Sequence, residues 1–183
     1  MSVSTQPLTG TFVADPVHSS FVFTVKHMKV ASFSARFDDV DARVVADERG
    51  IRLEGAARVE SVSIKNPPEF REHVVYGEDF FDGRNHPEIT FHSDDVQLSD
   101  DGTVAVRGEL MIRGVTKSFV AAGTYQPLIE DPYGSIRTAV EISTTVDRRD
   151  WGMNWQAALP NGGDVLSYDV QLSMNVEFIK ESE

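Results

Sequence analysis

Residues 166–178 read Leu-Ser-Tyr-Asp-Val-Gln-Leu-Ser-Met-Asn-Val-Glu-Phe, with Leu166, Tyr168, Val170, Leu172, Met174, Val176 and Phe178 at every second position and polar side chains between them. Successive side chains of an extended chain point to opposite faces, so a period of two predicts a strand with one dry face and one wet face. This is the pattern of an antiparallel sheet, not of a helix.

The same alternation recurs outward from this segment. It appears at Phe21, Phe23 and Val25; at Ile51, Leu53, Ala57 and Val59, interrupted by Gly55; at Val104, Val106, Leu110 and Ile112; and at Ile136, Val140, Ile142 and Val146. With the runs at 33–46, 88–97 and 115–126 the expectation is an all-β chain of about eight antiparallel strands, a common number for a closed up-and-down barrel. Periodicity alone fits a sandwich equally well. Turns are marked by Arg49-Gly50, Asp100-Asp101-Gly102, Asp131-Pro132-Tyr133-Gly134 and Asn161-Gly162-Gly163, residues that tolerate turn backbones. One segment departs from the pattern. After Asn66, Pro67 and Pro68 come Phe70, Arg71, Val74 and Val75 at helical spacing, which predicts a short helix over 67–77 whose Phe70 and Val74 would close one end of a barrel. A further helical turn is expected from Arg148 to Trp151.

At 183 residues, with 40% hydrophobic and 25% charged residues, the chain has the size and apolar content of one folded domain, expected over residues 11–180 with a flexible N-terminus at 1–10. Its 17 basic and 29 acidic residues give a formal charge of -12, which repels phosphate backbones, so nucleic acid is not an expected partner. No cysteine is present, which excludes disulfides, thiol nucleophiles and cysteine-bound metals. The start, Met-Ser-Val-Ser-Thr-Gln-Pro-Leu-Thr-Gly, has neither a basic nor an apolar leader region, and no stretch has the length of a membrane span. A cytoplasmic location without an integral membrane segment is therefore expected.

Several short clusters, taken in order, carry a resemblance. They are Asp15-Pro16-Val17-His18-Ser19 followed by Phe23-Thr24-Val25-Lys26-His27; Asp79-Phe80-Phe81-Asp82; and Pro87-Glu88-Ile89-Thr90-Phe91-His92-Ser93. Then come Gly108-Glu109-Leu110-Met111-Ile112-Arg113-Gly114-Val115-Thr116-Lys117 and Arg148-Arg149-Asp150-Trp151-Gly152-Met153-Asn154-Trp155. In these the chain resembles the YceI-like family of polyisoprenoid-binding, lipocalin-like proteins. The resemblance implies an antiparallel lipocalin-like barrel whose interior takes an isoprenoid quinone, a polyprenyl phosphate or another long-chain lipid. It implies a carrier or store, not an enzyme, with no cofactor. Two departures stand out: Val74 occupies the place of a histidine common before Asp79-Phe80-Phe81-Asp82, and Ala35 and Arg36 precede Phe37 where the family often has glycine.

The candidate ligand-binding residues are His18, Phe21, Phe23, His27, Phe33, Phe80, Phe81, Phe91, Arg149, Trp151 and Trp155. Inward aromatics would line an apolar pocket with a few polar groups, or fill a solid core. On an alternating strand His27 shares a face with Phe21, Phe23 and Val25, so it could meet a ligand head group inside; a core histidine satisfied by backbone or by Asp15 is the alternative. His18, Arg149 and Trp155 are expected at the mouth. The histidines His18, His27, His73, His86 and His92 lack the spacing of common zinc motifs, so no metal is expected. Asp15, Asp79, Asp82 and Asp150 lie beside turn signals and suit caps better than acid-base pairs. Asp15, His18 and Ser19 have the composition of a hydrolase triad, yet adjacent side chains on a strand face opposite ways and no G-x-S-x-G elbow exists. Two other classes stay open: an isomerase or hydrolase of a hydrophobic substrate using His27, and a stress-related interaction protein with a filled barrel. Strand edges left open would also allow a homodimer.

Overall fold

The alternating C-terminal segment is the longest strand and the one on which the sheet closes. The computed structural model describes residues 8–182. Its strands are β1 (Gly10–Ala14), β2 (Ser20–His27), β3 (Ala31–Phe37), β4 (Val40–Asp47) and β5 (Gly50–Arg58), followed by helix α1 (Pro68–Tyr76). Then come β6 (Glu88–Leu98), β7 (Thr103–Ile112), β8 (Val115–Tyr125), the two-residue β9 (Ile129–Glu130), β10 (Ile136–Asp147) and β11 (Leu166–Lys180). Neighbours run β11-β1-β4-β5-β6-β7-β8-β10, and β10 pairs back onto β11 to close a ring of eight antiparallel strands.

Two positions in this wall are shared. β1 pairs with residues 178–180 of β11 and β2 with residues 166–175 of the same edge, so β1 and β2 are two lengths of one interrupted strand. β3 lies along β2 and β4 along β1, separated by Asp38 and Asp39. The run expected at 33–46 is thus one path that changes partner at its middle.

The two ends of the barrel are consequently built differently. Around β1 and β4 the wall is built from paired strands, with β5 and β6 parting only beyond Leu53 and Ser93. At the other end, the helix end, two seams open. β5 leaves the sheet at Arg58, paired to Glu88 where β6 enters, so the backbone of β3 meets the 59–87 excursion only around the Phe37–Val62 bridge, where the Ser63 amide donates to the Arg36 carbonyl at 2.8 Å, the Asp38 amide to the Ser61 carbonyl at 3.1 Å and the Arg36 amide to Ser63 Oγ at 3.0 Å. The second seam lies between β8 and β10, which pair over Val140–Ser143; beyond it the 3-10 turn Arg148–Trp151 fills the space. Trp151 Nε1 donates to the Leu110 carbonyl of β7 at 3.3 Å.

α1 sits inside the expected 67–77 span. Pro68 opens it, a position where the missing N–H costs nothing, and the Gly77 amide donates to the His73 carbonyl at its close. The turn at Arg148–Trp151 is capped by the Asp147 carboxylate, which accepts from the Arg149 amide, and leaves through Gly152 at φ +73°. Of the N-terminal stretch expected to be flexible, residues 1–7 lie outside the described residues; Leu8 packs on the core and Gly10 opens β1. Among the described residues no helix is long and apolar enough to cross a membrane.

Apolar side chains collect in two clusters. One, at the helix end, includes Phe21, Phe37, Val59, Val75, Leu110 and Trp151; the other includes Phe12, Val44, Leu53, Val106, Val176 and Phe178. Each large side chain withdrawn fully from water contributes about 1.5–3 kcal/mol. Phe91 leans over Gly55 of β5, where any Cβ would collide with its ring; this explains the glycine that interrupts the strand pattern.

Candidate ligand chamber

At the helix end the barrel encloses a cavity of about 460 Å³. Its strand side is formed by Phe21, Phe23, Val25 and His27 of β2, Phe33 and Phe37 of β3, Val146 of β10, and Leu166, Val170 and Leu172 of β11. The other side comes from the two seam fillers: Phe70, His73 and Val74 of α1 with Phe80 and Phe81 behind it, and Arg148, Met153 and Trp155. Phe21, Phe37, Ile89 and Ile112 are buried and mark the deep end, whereas His27, Ala31, Ser32, Phe70 and His73 are exposed and mark the opening.

The aromatic lining is a connected set. Phe23 packs against Phe33, Phe37 and Phe81 at centroid distances of 6.3, 5.8 and 5.8 Å. Phe70 on α1 stands edge-on to Phe33 at 5.7 Å, joining the helix to β3 across the first seam. At the opening, His73 meets Phe80 edge-on at 4.9 Å and Phe80 stacks on Trp155 at 5.6 Å. The His73 ring is tied by Nε2 to Asp79 Oδ1 at 3.2 Å.

Arg148 is 3% exposed and is the one buried cation among the described residues. Its Nε donates to the Ser167 carbonyl at 3.0 Å and Nη2 to the Trp155 carbonyl at 2.8 Å, while Nη1 donates to the Met153 carbonyl. These bonds pin the loop after β10 to the start of β11. Burial pulls the Arg148 guanidinium below its ordinary pKa, since a charge out of water is disfavoured. A bulge in β11 between Leu166 and Val170 removes Tyr168 from the inward row expected for it; the ring lies instead under Arg149 and Arg148, at 4.1 and 4.8 Å.

Of the residues expected to meet a ligand, Phe21, Phe23, His27, Phe33, Phe80, Phe81 and Trp155 line this cavity. Four do not. Trp151 is 2% exposed and fills the core. Arg149 points outward, held by the Asp147 carboxylate at 2.5 Å; neighbours on a tight turn diverge, and its predecessor Arg148 takes the inner place. Phe91 lies below the cavity, against a gap of about 20 Å³. His18 belongs to an ion-pair cluster away from the opening: its Nδ1 is 3.0 Å from Asp15 Oδ2, and Arg137 Nη1 lies 2.9 Å from Asp15 and 2.5 Å from Glu177. Asp15, His18 and Glu177 come close enough to hold a metal, but the Arg137 guanidinium already bridges both carboxylates. Asp15 is held below the usual carboxylate range by hydrogen bonds from His18 and Arg137, and His18 is raised by its bond to Asp15. Ser19 Oγ donates to the Glu177 carbonyl, away from His18.

Val146, Arg148 and Met153 also line the cavity, and no local signal in the sequence marks them for it. Leu166, Val170 and Leu172 were legible as a dry strand face, but not as the wall of a hole.

A closed eight-stranded antiparallel barrel with an apolar chamber open at one end is a lipocalin-like architecture. Residues 12–178 match the YceI-like domain, and the chain belongs to the YceI-like family. A UPF0312 protein of Staphylococcus aureus strain MSSA476 is 31% identical over 169 residues, covering 91% of this chain and 96% of the relative. BcnA of Burkholderia cenocepacia superposes with a TM-score of 0.73 at 17% identity, over 90% of this chain and 98% of that one. A polyisoprenoid-binding domain from Saccharophagus degradans superposes with a TM-score of 0.69 at 13% identity, over 95% of this chain and all of that one. At these identities the two structures share the fold.

Proposed function

We propose that the protein holds a long apolar molecule in the helix-end chamber and carries or stores it without chemical change. The observation that supports this most is the chamber itself: about 460 Å³ lined almost wholly by aromatic and aliphatic side chains and open at one end. A barrel filled by its own side chains would leave no such space, because protein interiors pack to crystal density. The ligand class is an isoprenoid quinone, a polyprenyl phosphate or a similar lipid, in keeping with the binding property for which the Saccharophagus degradans domain is named. Burying about fifteen carbons is worth about 12 kcal/mol gross, against about 4–15 kcal/mol for association and ordering. Chain length therefore governs affinity. The head group sits at the opening with His73, His27 and the buried charge of Arg148.

Native mass spectrometry of protein purified without detergent, followed by organic extraction, tests the proposal. A stoichiometric isoprenoid or other long-chain lipid, or uptake of an added one, is expected. An empty protein that takes up no added prenyl compound overturns it. Under the catalytic alternative His27→Ala abolishes turnover of a hydrophobic substrate; here it only weakens binding.

A further inference from the structure

Inward side chains on four strands follow the same order along the barrel. On β7, Ile112 lines the chamber, Leu110 the 20 Å³ gap, and Val106 and Val104 a separate cavity of about 290 Å³ at the opposite end. β10 repeats the sequence with Val146, Ile142 and Val140, β6 with Ile89, Phe91 and Val96, and β11 with Val170, Met174 and Phe178. The interior is thus two cavities in line, parted by a waist. Phe91, Phe119 and Met174 pack against both apolar clusters, as residues at a boundary must. Gly55 lets the Phe91 ring lean over the neighbouring strand.

We infer that Phe91, supported by Phe119 and Met174, is the floor that sets how long a chain the chamber accepts, and that the cavity beyond it is space a longer chain would enter if the floor were removed. This rests on the chamber holding an apolar chain. At about 30 Å³ for a water-sized group, 460 Å³ takes about fifteen carbons and the 290 Å³ cavity about ten more. Carbons beyond the first fifteen remain in water at the opening and add nothing.

The test is displacement of a fluorescent fatty-acid probe by linear prenols, stepping by isoprene unit from about ten to about thirty carbons. For the wild-type protein, affinity rises at least about tenfold per unit and levels off near fifteen carbons. Phe91→Ala moves the plateau outward by about two units, and adding Val106→Phe, which fills the far cavity, moves it back. Phe119→Ala opens the same floor from β8 and serves if Phe91→Ala does not fold, with thermal melts monitoring both. A plateau that stays put in folded variants, or a wild-type affinity that climbs without levelling, overturns the floor and leaves the ligand proposal standing. A wild-type protein that binds no member of the series fails the ligand proposal and this inference with it.

Discussion

The two ends of the barrel draw on the same strands and differ in how those strands meet. Around β1 and β4 the strands β11, β1, β4 and β5 are paired in turn, while β5 and β6 pair only from Leu53 to Arg58, and Phe12 and Phe178 are at most 1% exposed. At the helix end the sheet parts between β3 and β5 and again between β8 and β10, and a helix, a loop and one buried arginine stand in for the missing wall. Both ends enclose space, about 290 Å³ beside the paired strands and about 460 Å³ where helix and loop replace missing wall, and the larger volume lies where the sheet opens. The seams account for the larger size of the helix-end chamber and for its opening.

The sharpest way to break this contrast is to remove packing at the β1–β4 end. Phe12→Ala is expected to lose about 3–5 kcal/mol in denaturant unfolding, and a loss below about 1 kcal/mol would mean that this end is not the packed one. Next comes the patch. Arg148→Met leaves the carbonyls of Met153, Trp155 and Ser167 without their donor, at a cost of about 2–3 kcal/mol, with hydrogen exchange faster at 148–167 and unchanged in β1 and β4. Uniform exchange across the barrel would count against a separate patch.

A matched pair on one strand sharpens the comparison further. Val176→Ala and Val170→Ala delete the same two methyl groups from β11, where Val176 is 6% exposed and Val170 borders the chamber. The first is expected to cost about 2 kcal/mol and the second less than about 1 kcal/mol, because Val170 faces the chamber instead of packed neighbours. Equal costs would place both in solid core.

The smallest effect concerns pH. Asp15 has its folded pKa depressed below the ordinary 3.8, so its contribution is present above that value and is lost as the pH falls toward the depressed one. His18 is raised above the ordinary 6.5, so its contribution is full below 6.5 and is lost as the pH climbs through the raised value. The melting temperature should therefore peak between these limits, and His18→Gln should flatten the alkaline limb by a small amount, since the ring is exposed. A limb unchanged in the variant would remove His18 from the account.

Much of the wall was legible in advance. Alternation on β11, β10 and β7 reports burial on one face, and that periodicity survives whatever the strands are packed against. The helix was legible because Pro67-Pro68 ends a strand and the residues after it change spacing. Arg148 was not. It and Arg149 differ by one position on a tight turn, and nothing local says which guanidinium finds three carbonyls inside. Tyr168 misled in the opposite sense, since a bulge displaced it from a row that its spacing alone joined.

The order of residues determined that this chain forms an antiparallel sheet, where its turns and helix lie, and, through ordered clusters, its family. Local chemistry suffices for these, because alternation, proline and glycine act on the few residues around them. The tertiary structure decided which dry faces meet and which face a void, since Val170 lines the chamber and Val176 is packed although both sit on the dry face of one alternating strand. That distinction depends on where strands part company across the sheet, and contacts between residues far apart in sequence set it.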